Sequence, residues 1–192
     1  PGRTADPDCG RQVGQLQLIR QVAGLTASIR DRGLLRNQVL KLLQDFFSTS
    51  GGGIYQLHDH ESPLSLVTEV NISEELSREL QKVPAGKGLI SQVVKIGKPL
   101  FWADLKSEPQ LYCRALLTAN WHSVLAHPLI AHERILGVLF LYQNSRRDFS
   151  ASEIDLLNEC CQLLAAAIDS SELVEKLEWQ HRLTHASQRE LD

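Results

Sequence analysis

The sequence predicts an α+β fold in which an antiparallel sheet is packed between helices. Three observations predict it. Residues 54–58 and 64–70, and again 123–130 and 135–142, read as strand pairs joined by connectors short enough for hairpins. Both chain ends carry helical periodicity instead. The strand Ile135–Tyr142 is apolar on both faces, with Ile135, Leu139 and Leu141 turned one way and Leu136, Val138, Phe140 and Tyr142 the other. An antiparallel sheet ordinarily shows water one face, so both sides of this one need a cover. Flanking helices supply one cover and short helices the other, with room for a ligand between.

The elements follow in order. Residues 1–11 are polar, with Pro and Gly, and read as a frayed tail. Residues 12–33 form a helix whose apolar positions Leu18, Val22, Leu25 and Ile29 step by four, three and four, the spacing of a coiled-coil seam. Gly33 is expected to break or bend it. Leu34–Phe47 is a second helix, with an apolar face wide enough for a core (Leu35, Val39, Leu42, Leu43, Phe46, Phe47). Ser73–Gln81 is a short polar helix capped near Asn71 or Ser73, and Leu89–Ile96 a helix closed by Gly97. Pro99–Trp102 is a short strand and Leu111–Ala119 a helix. After Phe149, Ser150 or Ser152 caps a long helix with Glu153 and Asp155 in its first turn. Neither Pro nor Gly interrupts it up to Asp192. Some 40 residues of helix span about 60 Å, whereas a body of about 120 residues has a radius of gyration near 14 Å. The helix must project. Its seam Leu156, Cys160, Leu163 and Ala167 again steps four, three, four. Both seams predict a homodimer through a coiled coil of the terminal helices.

Composition narrows the function. The 192 residues are 43% hydrophobic, enough for a sizeable core, and the net charge of −3 argues against a phosphate-tracking surface and nucleic acid. The longest apolar run, Ile135–Tyr142, is strand-sized and far short of a membrane span, and the first residues hold no signal-peptide apolar region. Cysteines 9, 113, 160 and 161 lack zinc-ligand spacing, so no metal site is expected, and the compartment reads as reducing and cytoplasmic. The absence of methionine leads us to expect a piece of a longer protein. No nucleophile elbow, P-loop, zinc-protease helix or dinucleotide fingerprint is present, so this segment is not expected to be an enzyme.

Several phrases in a fixed order resemble a GAF domain over residues 34–168: Gly52-Gly-Ile-Tyr, Pro84-Ala-Gly-Lys-Gly-Leu-Ile, Ile96-Gly-Lys-Pro-Leu, Ala103-Asp-Leu, Ser123-Val-Leu-Ala-His-Pro-Leu, Ile135-Leu-Gly-Val-Leu and Phe149-Ser-Ala-Ser-Glu-Ile-Asp-Leu-Leu. The resemblance implies a central antiparallel sheet of five or six strands, related in fold to PAS domains. It places the long N- and C-terminal helices on one face, and short helices with a ligand pocket on the other. It further implies a regulatory sensor whose flanking helices pair and carry a signal to an output module. A histidine kinase of a two-component system or a cyclase is typical. Residues 12–33 then form the signalling and dimerisation helix, and 169–192 the connector to that module.

The expected pocket lining is Tyr55, Phe101, Leu111, Tyr112, Cys113, Leu116, Trp121, Leu125, His127, Phe140 and Tyr142. The ligand is a small molecule of unknown identity. The cyclic-nucleotide motif of such domains is matched only by Asn144-Ser145, Phe149 and Glu153-Ile154, without its Lys and its Asp-Glu pair. A bilin is the better-matched alternative, since Cys113 lies ten residues before Ser123 as in phytochrome-like members, although Arg114 replaces their usual His. Haem is disfavoured because His122, His127 and His132 are spaced by five, which turns neighbours to opposite faces of a strand. His127 alone shares a face with Leu125 and Leu129, where a buried imidazole needs a hydrogen-bond partner or a ligand. The competing reading is a structural dimerisation module with no ligand.

Overall fold

Asp31 separates the first two helices. α1 spans Pro7–Ser28 and α2 Arg32–Phe46, and the Asp31 carboxylate accepts the Leu34 N–H at 2.6 Å, satisfying a donor that a helix start leaves free. The break therefore falls at residues 29–31. The expected break at Gly33 is corrected, because Gly33 lies inside the first turn of α2. The computed structural model describes residues 7–58, 62–109, 111 and 113–189, with side chains within 12–182.

Six strands follow: β1 Gly51–Gln56, β2 Leu64–Val70, β3 Lys82–Val83, β4 Leu100–Trp102, β5 Ser123–Ala131 and β6 Arg134–Gln143. They pair antiparallel in the order β3-β2-β1-β6-β5-β4. β5 and β6 meet in a two-residue turn, His132-Glu133, with φ of 48° and 62°, the left-handed pair that matches hairpin twist. The register slips between Leu129 and Ile130, which face Gly137 and Ile135. Leu136 is thereby an extra residue on β6, a bulge, and it joins Leu139 and Leu141 on one side of the sheet rather than Val138 and Phe140 on the other.

β1 opens with three glycines because its neighbour carries aromatic rings. Gly51 pairs with Tyr142 and Gly53 with Phe140. A Cβ at 53 would come within 2.6 Å of the Phe140 ring, and one at 51 within 2.7 Å of Tyr142, distances that side chains do not tolerate. The strand thus starts three residues earlier than the β-branched pattern from Ile54 indicates.

Short helices cross one face of the sheet: α3 Glu74–Leu80, capped by Ser73, α4 Gly88–Ile96, ended by Gly97 at φ 68°, and α5 Ala115–Thr118. A 3-10 turn covers Leu105–Ser107. The helix expected over 111–119 is shortened to α5 alone. Together with Tyr55, Val124, Val138, Phe140 and Tyr142 these elements form one apolar core. The opposite face packs against α1, α2 and α6, which spans Ala151–Arg189, in a second core built on Ile54, Leu125, Leu139 and Leu141. α6 begins with a capping box: the Glu153 N–H points at Ser150 Oγ (3.3 Å), while Glu153 Oε2 accepts the Ser150 N–H at 2.9 Å. Arg147 completes the corner by donating to Glu153 and to the Phe47 carbonyl.

The two seams do not face outward. Leu18, Val22, Leu156 and Cys160 are buried within the chain's own core, and Leu25, Ile29, Leu163 and Ala167 pack against it. Heptad spacing here joins α1 to α6 of the same chain, a correction to the seam residues expected at a dimer interface. Among the described residues of these two helices, the large apolar side chains left in solvent are Val13 and Leu16 on α1, and Leu173, Val174, Leu177 and Trp179 on α6. Among the described residues no helix is long and apolar enough to cross a membrane.

An ionic clasp marks the point where α6 leaves the body. Asp169, 5% exposed, accepts from Arg134 at 2.8 Å and lies 3.0 Å from His132 Nδ1. Arg134 and Arg32 also meet Glu172, and Arg32 reaches Glu175. The β5–β6 turn, the start of α2 and the middle of α6 are tied at one place. Hydrogen bonds from Arg134 first, then His132, hold the Asp169 carboxyl below its ordinary range. A depressed carboxyl contributes stability that is full above the ordinary value near 4 and is lost as pH falls through the folded value. Asp169→Asn is expected to cost about 1 kcal/mol at pH 7, since its partners are half-exposed or more. In urea titrations at stepped pH the gap from the parent chain should close below about pH 4; a gap independent of pH would contradict the charge argument.

Candidate functional site

β6 places every second side chain over the short helices, and the cavity forms there. Its volume is about 50 Å³, about a third of that of a cavity that holds benzene. β1 contributes Tyr55, β6 Phe140, β5 Val124, and the loop before it Trp121. Glu79 and Leu80 of α3, Val83 of β3 and Gly88–Ile90 of α4 form the opposite wall, while Leu111, Cys113 and Leu116 close the remaining side.

The rings are set against one another. Trp121 stacks on Tyr142 at 3.7 Å and 8°, and Phe140 lies 5.8 Å from Trp121 and 5.6 Å from Tyr55. The Tyr142 hydroxyl donates to the Asn71 carbonyl, and that of Tyr55 to Leu80 at 2.9 Å. Burial pushes the Tyr55 phenol well above its usual range, with smaller contributions from Cys113 and Glu69. It is therefore a fixed donor at neutral pH.

Of the eleven residues expected to line a pocket, Tyr55, Leu111, Cys113, Leu116, Trp121 and Phe140 do so. Tyr142 stands behind Trp121 and supports it. Tyr112 lies outside the described residues. Phe101, Leu125 and His127 are corrections. Leu125 and Phe101 pack with the α6 core, and His127 shares the face of Leu125. His127 is 3% exposed, its Nδ1 lies 2.8 Å from the Pro128 carbonyl, and burial pushes its pKa down despite hydrogen bonding to Pro128 and Asn158. It is a neutral core imidazole. Val124 and Ala126 are the β5 residues on the cavity side. Glu79, Leu80 and Leu89 escaped the sequence reading, although Leu76 and Leu80 are one helical turn apart and mark the buried face of α3.

The three described thiols, of Cys113, Cys160 and Cys161, are held in their protonated form. Burial pushes Cys160 up to about 12 and Cys161 well above its usual range. Cys113 is half-buried, and burial raises its pKa too, helped by Glu79, whose Oε2 lies 3.5 Å from Sγ. A thiol beside a carboxylate is the reverse of an activated nucleophile. The cavity is also many times smaller than the usual pocket for a drug-sized ligand, and a tetrapyrrole is larger still. Among the described residues no three His, Cys, Asp or Glu side chains gather as metal ligands.

A six-stranded antiparallel sheet with helices from both chain ends on one face, and an apolar cavity under short helices on the other, is the architecture of GAF-like modules. The family model described as GAF domain matches residues 35–169, and the chain belongs to that family. Among solved structures it is similar to the GAF domain of a phosphoenolpyruvate-protein phosphotransferase from Coxiella burnetii: TM-score 0.77 and 19% identity, over 85% of this chain and 98% of that one. The corresponding domain from Acinetobacter gives 0.73 and 17%, over 84% and 97%. A free methionine-R-sulfoxide reductase from Neisseria meningitidis, solved with its substrate, gives 0.72 and 18%, over 83% and 91%. At these identities the likeness is one of fold, and the fold is shared by GAF domains of phosphotransferases and by a reductase. No curated protein matches the chain.

The thiol environment is testable. In a Cys9→Ser background, iodoacetamide should label Cys113 and spare Cys160 and Cys161, with a rate that rises only above the pH range of a free thiol. Glu79→Gln should bring that inflection down, because the carboxylate helps to raise it. Rapid labelling at pH 7 would contradict a protonated Cys113.

Proposed function

We propose that the chain is a regulatory sensor module that takes a small molecule into the cavity and transmits its occupancy through α6. The observation that carries this reading is the two-sided packing of β6. Val138 and Phe140 touch the cavity side while Leu139 and Leu141, their immediate neighbours, pack in the core shared with α1 and α6. A ligand that displaces Phe140 or Trp121 moves a strand whose other face supports the helix. A ligand with different affinities for two arrangements shifts their populations by that difference. The regulatory reading is supported by the protonated thiols, which offer no nucleophile at the cavity.

The output lies beyond α6, and a histidine kinase is the module we propose there, with the chain acting as a homodimer in the cytoplasm. In place of the buried seams, Leu173, Val174, Leu177 and Trp179 are the exposed apolar residues on the projecting part of α6. Leu173 and Leu177 are one turn apart and share a face, which a second copy of the helix would cover. The small volume of the cavity supports one competing reading, a dimerisation module already filled by its own side chains.

Native mass spectrometry followed by denaturation separates these readings. A dimer carrying extra mass that is lost on denaturation is expected. A bare dimer after incubation with cell extract would favour the structural module, and a bare monomer would overturn the helix pairing. Leu177→Asp should weaken dimerisation at least tenfold in sedimentation experiments while leaving the thermal midpoint unchanged at concentrations where the chain is monomeric, because the residue is exposed in the single chain.

A further inference from the structure

α6 keeps its core contacts as far as Ile168, which is still buried. From Leu173 to Arg182 every side chain is exposed. A helix without packing is marginal in water, because each added residue contributes close to nothing to its stability. What the core gives this segment is a nucleus, since Ala151–Ile168 is already helical. From that end the arm propagates, and from its far end it frays. How far back the fraying runs depends on where the arm is tied. Residues 169–178 also resist the helix on their own, because they carry Asp169, Glu172, Glu175 and Glu178 with Lys176 as the one cation. Carboxylates three residues apart are neighbours on a helix surface and repel one another.

Cations from the body offset that repulsion. Among the described residues, the ion pairs between this part of α6 and other elements all run through Asp169, Glu172 and Glu175. Their partners come from two places. Arg134 opens β6, with His132 in the turn before it, and Arg32 opens α2. Glu172 joins the two, with one oxygen 3.3 Å from Arg32 Nη1 and the other 3.4 Å from Arg134 Nη2. Asp169 is held by Arg134, and Glu175 by Arg32. Arg36, one turn further along α2, feels the charge of Glu172 but spends its own donors on the Arg32 carbonyl and Gln56.

We propose that this clasp is an order switch for the projecting arm. Closed, it holds residues 169–178 as helix against the body; open, the arm frays back to Asp169. Glu172 makes the switch sensitive to the shape of the body, because its two guanidinium partners ride on different elements. A displacement of β6 against α2 lengthens one of the two contacts. That last consequence rests on the sensor reading above, whereas the dependence of the arm on the clasp does not.

Hydrogen exchange of the 192-residue chain, read by mass spectrometry at concentrations where it is monomeric, tests the switch. The variant is Arg32→Met with Arg134→Met, which keeps the apolar stems and leaves the arm's own sequence untouched. Amides of residues 170–178 are expected to exchange about tenfold faster than in the parent, the combined effect of several partly exposed pairs. Those in the middle of β5 and β6 should keep their protection. Arg32→Lys with Arg134→Lys should return the arm to within about threefold of the parent, since Lys keeps the charge and loses the fork. Salt at about 1 M, where the screening length is about 3 Å, should accelerate the same amides in the parent and not in the Met variant. The salt response of the parent needs no substitution, so it decides the matter if the Met variant loosens the body as well. Arm amides that keep the parent's rate in an intact Met variant, that ignore salt in the parent, or that exchange in the parent as fast as unstructured chain overturn the switch. All three outcomes leave the sensor reading standing, because none of them bears on the cavity.

Discussion

The whole architecture answers to one constraint, a central strand that cannot face water on either side. β6 runs through the middle of the sheet with residues 136–142 buried, so apolar matter must be stacked above and below it. The terminal helices fill one side and α3, α4 and α5 the other. β6 gives both layers part of the apolar surface they pack on, and the short helices are too brief to be stable without such a surface. The glycines of β1 follow from the same constraint. Rings as large as Phe140 and Tyr142 can stand side by side on β6 only where the neighbouring strand gives up its side chains.

The sequence makes the elements legible where local chemistry dictates them. Ser73, Gly97 and the Ser150–Glu153 pair act within one turn of themselves, so their roles can be read without knowing the fold. The hairpin 123–142 is equally local. What fails is the phase of a strand buried on both sides. Along β5 the residues Val124 to Leu129 are all buried, so alternation carries no information about which face holds the cavity, and Leu125 and His127 fall on the wrong one. Leu136 fails for a related reason, since a bulge resets the alternation within a single strand. Tyr55 and Phe140 are legible because they are large, and because glycine lies opposite or next to them.

The heptads carry a similar lesson. A four-three-four spacing fixes which side of a helix is apolar, but not whether the helix that covers it belongs to the same chain. Here α1 and α6 satisfy each other, and the surface available for pairing moves out along α6 to residues whose spacing is less regular. The clasp at Asp169 stands at the boundary between the two regimes. Below it α6 is a wall of the core; above it the helix is clothed by solvent-exposed residues such as Leu173 and Leu177.

That α6 is one unbroken helix from Ala151 to Arg189 makes it a ruler as well as a lever. Each residue adds 1.5 Å and turns the far end by 100°, so the angular setting of whatever follows is counted out in residues from Asp169. Removing seven would shorten the arm by about 10 Å and leave its orientation within about 20°. Removing two would shorten it by only about 3 Å and present nearly the opposite side. For such an arm, length is not a continuous variable, and chains that share this body can differ in reach only by steps that restore the helical phase.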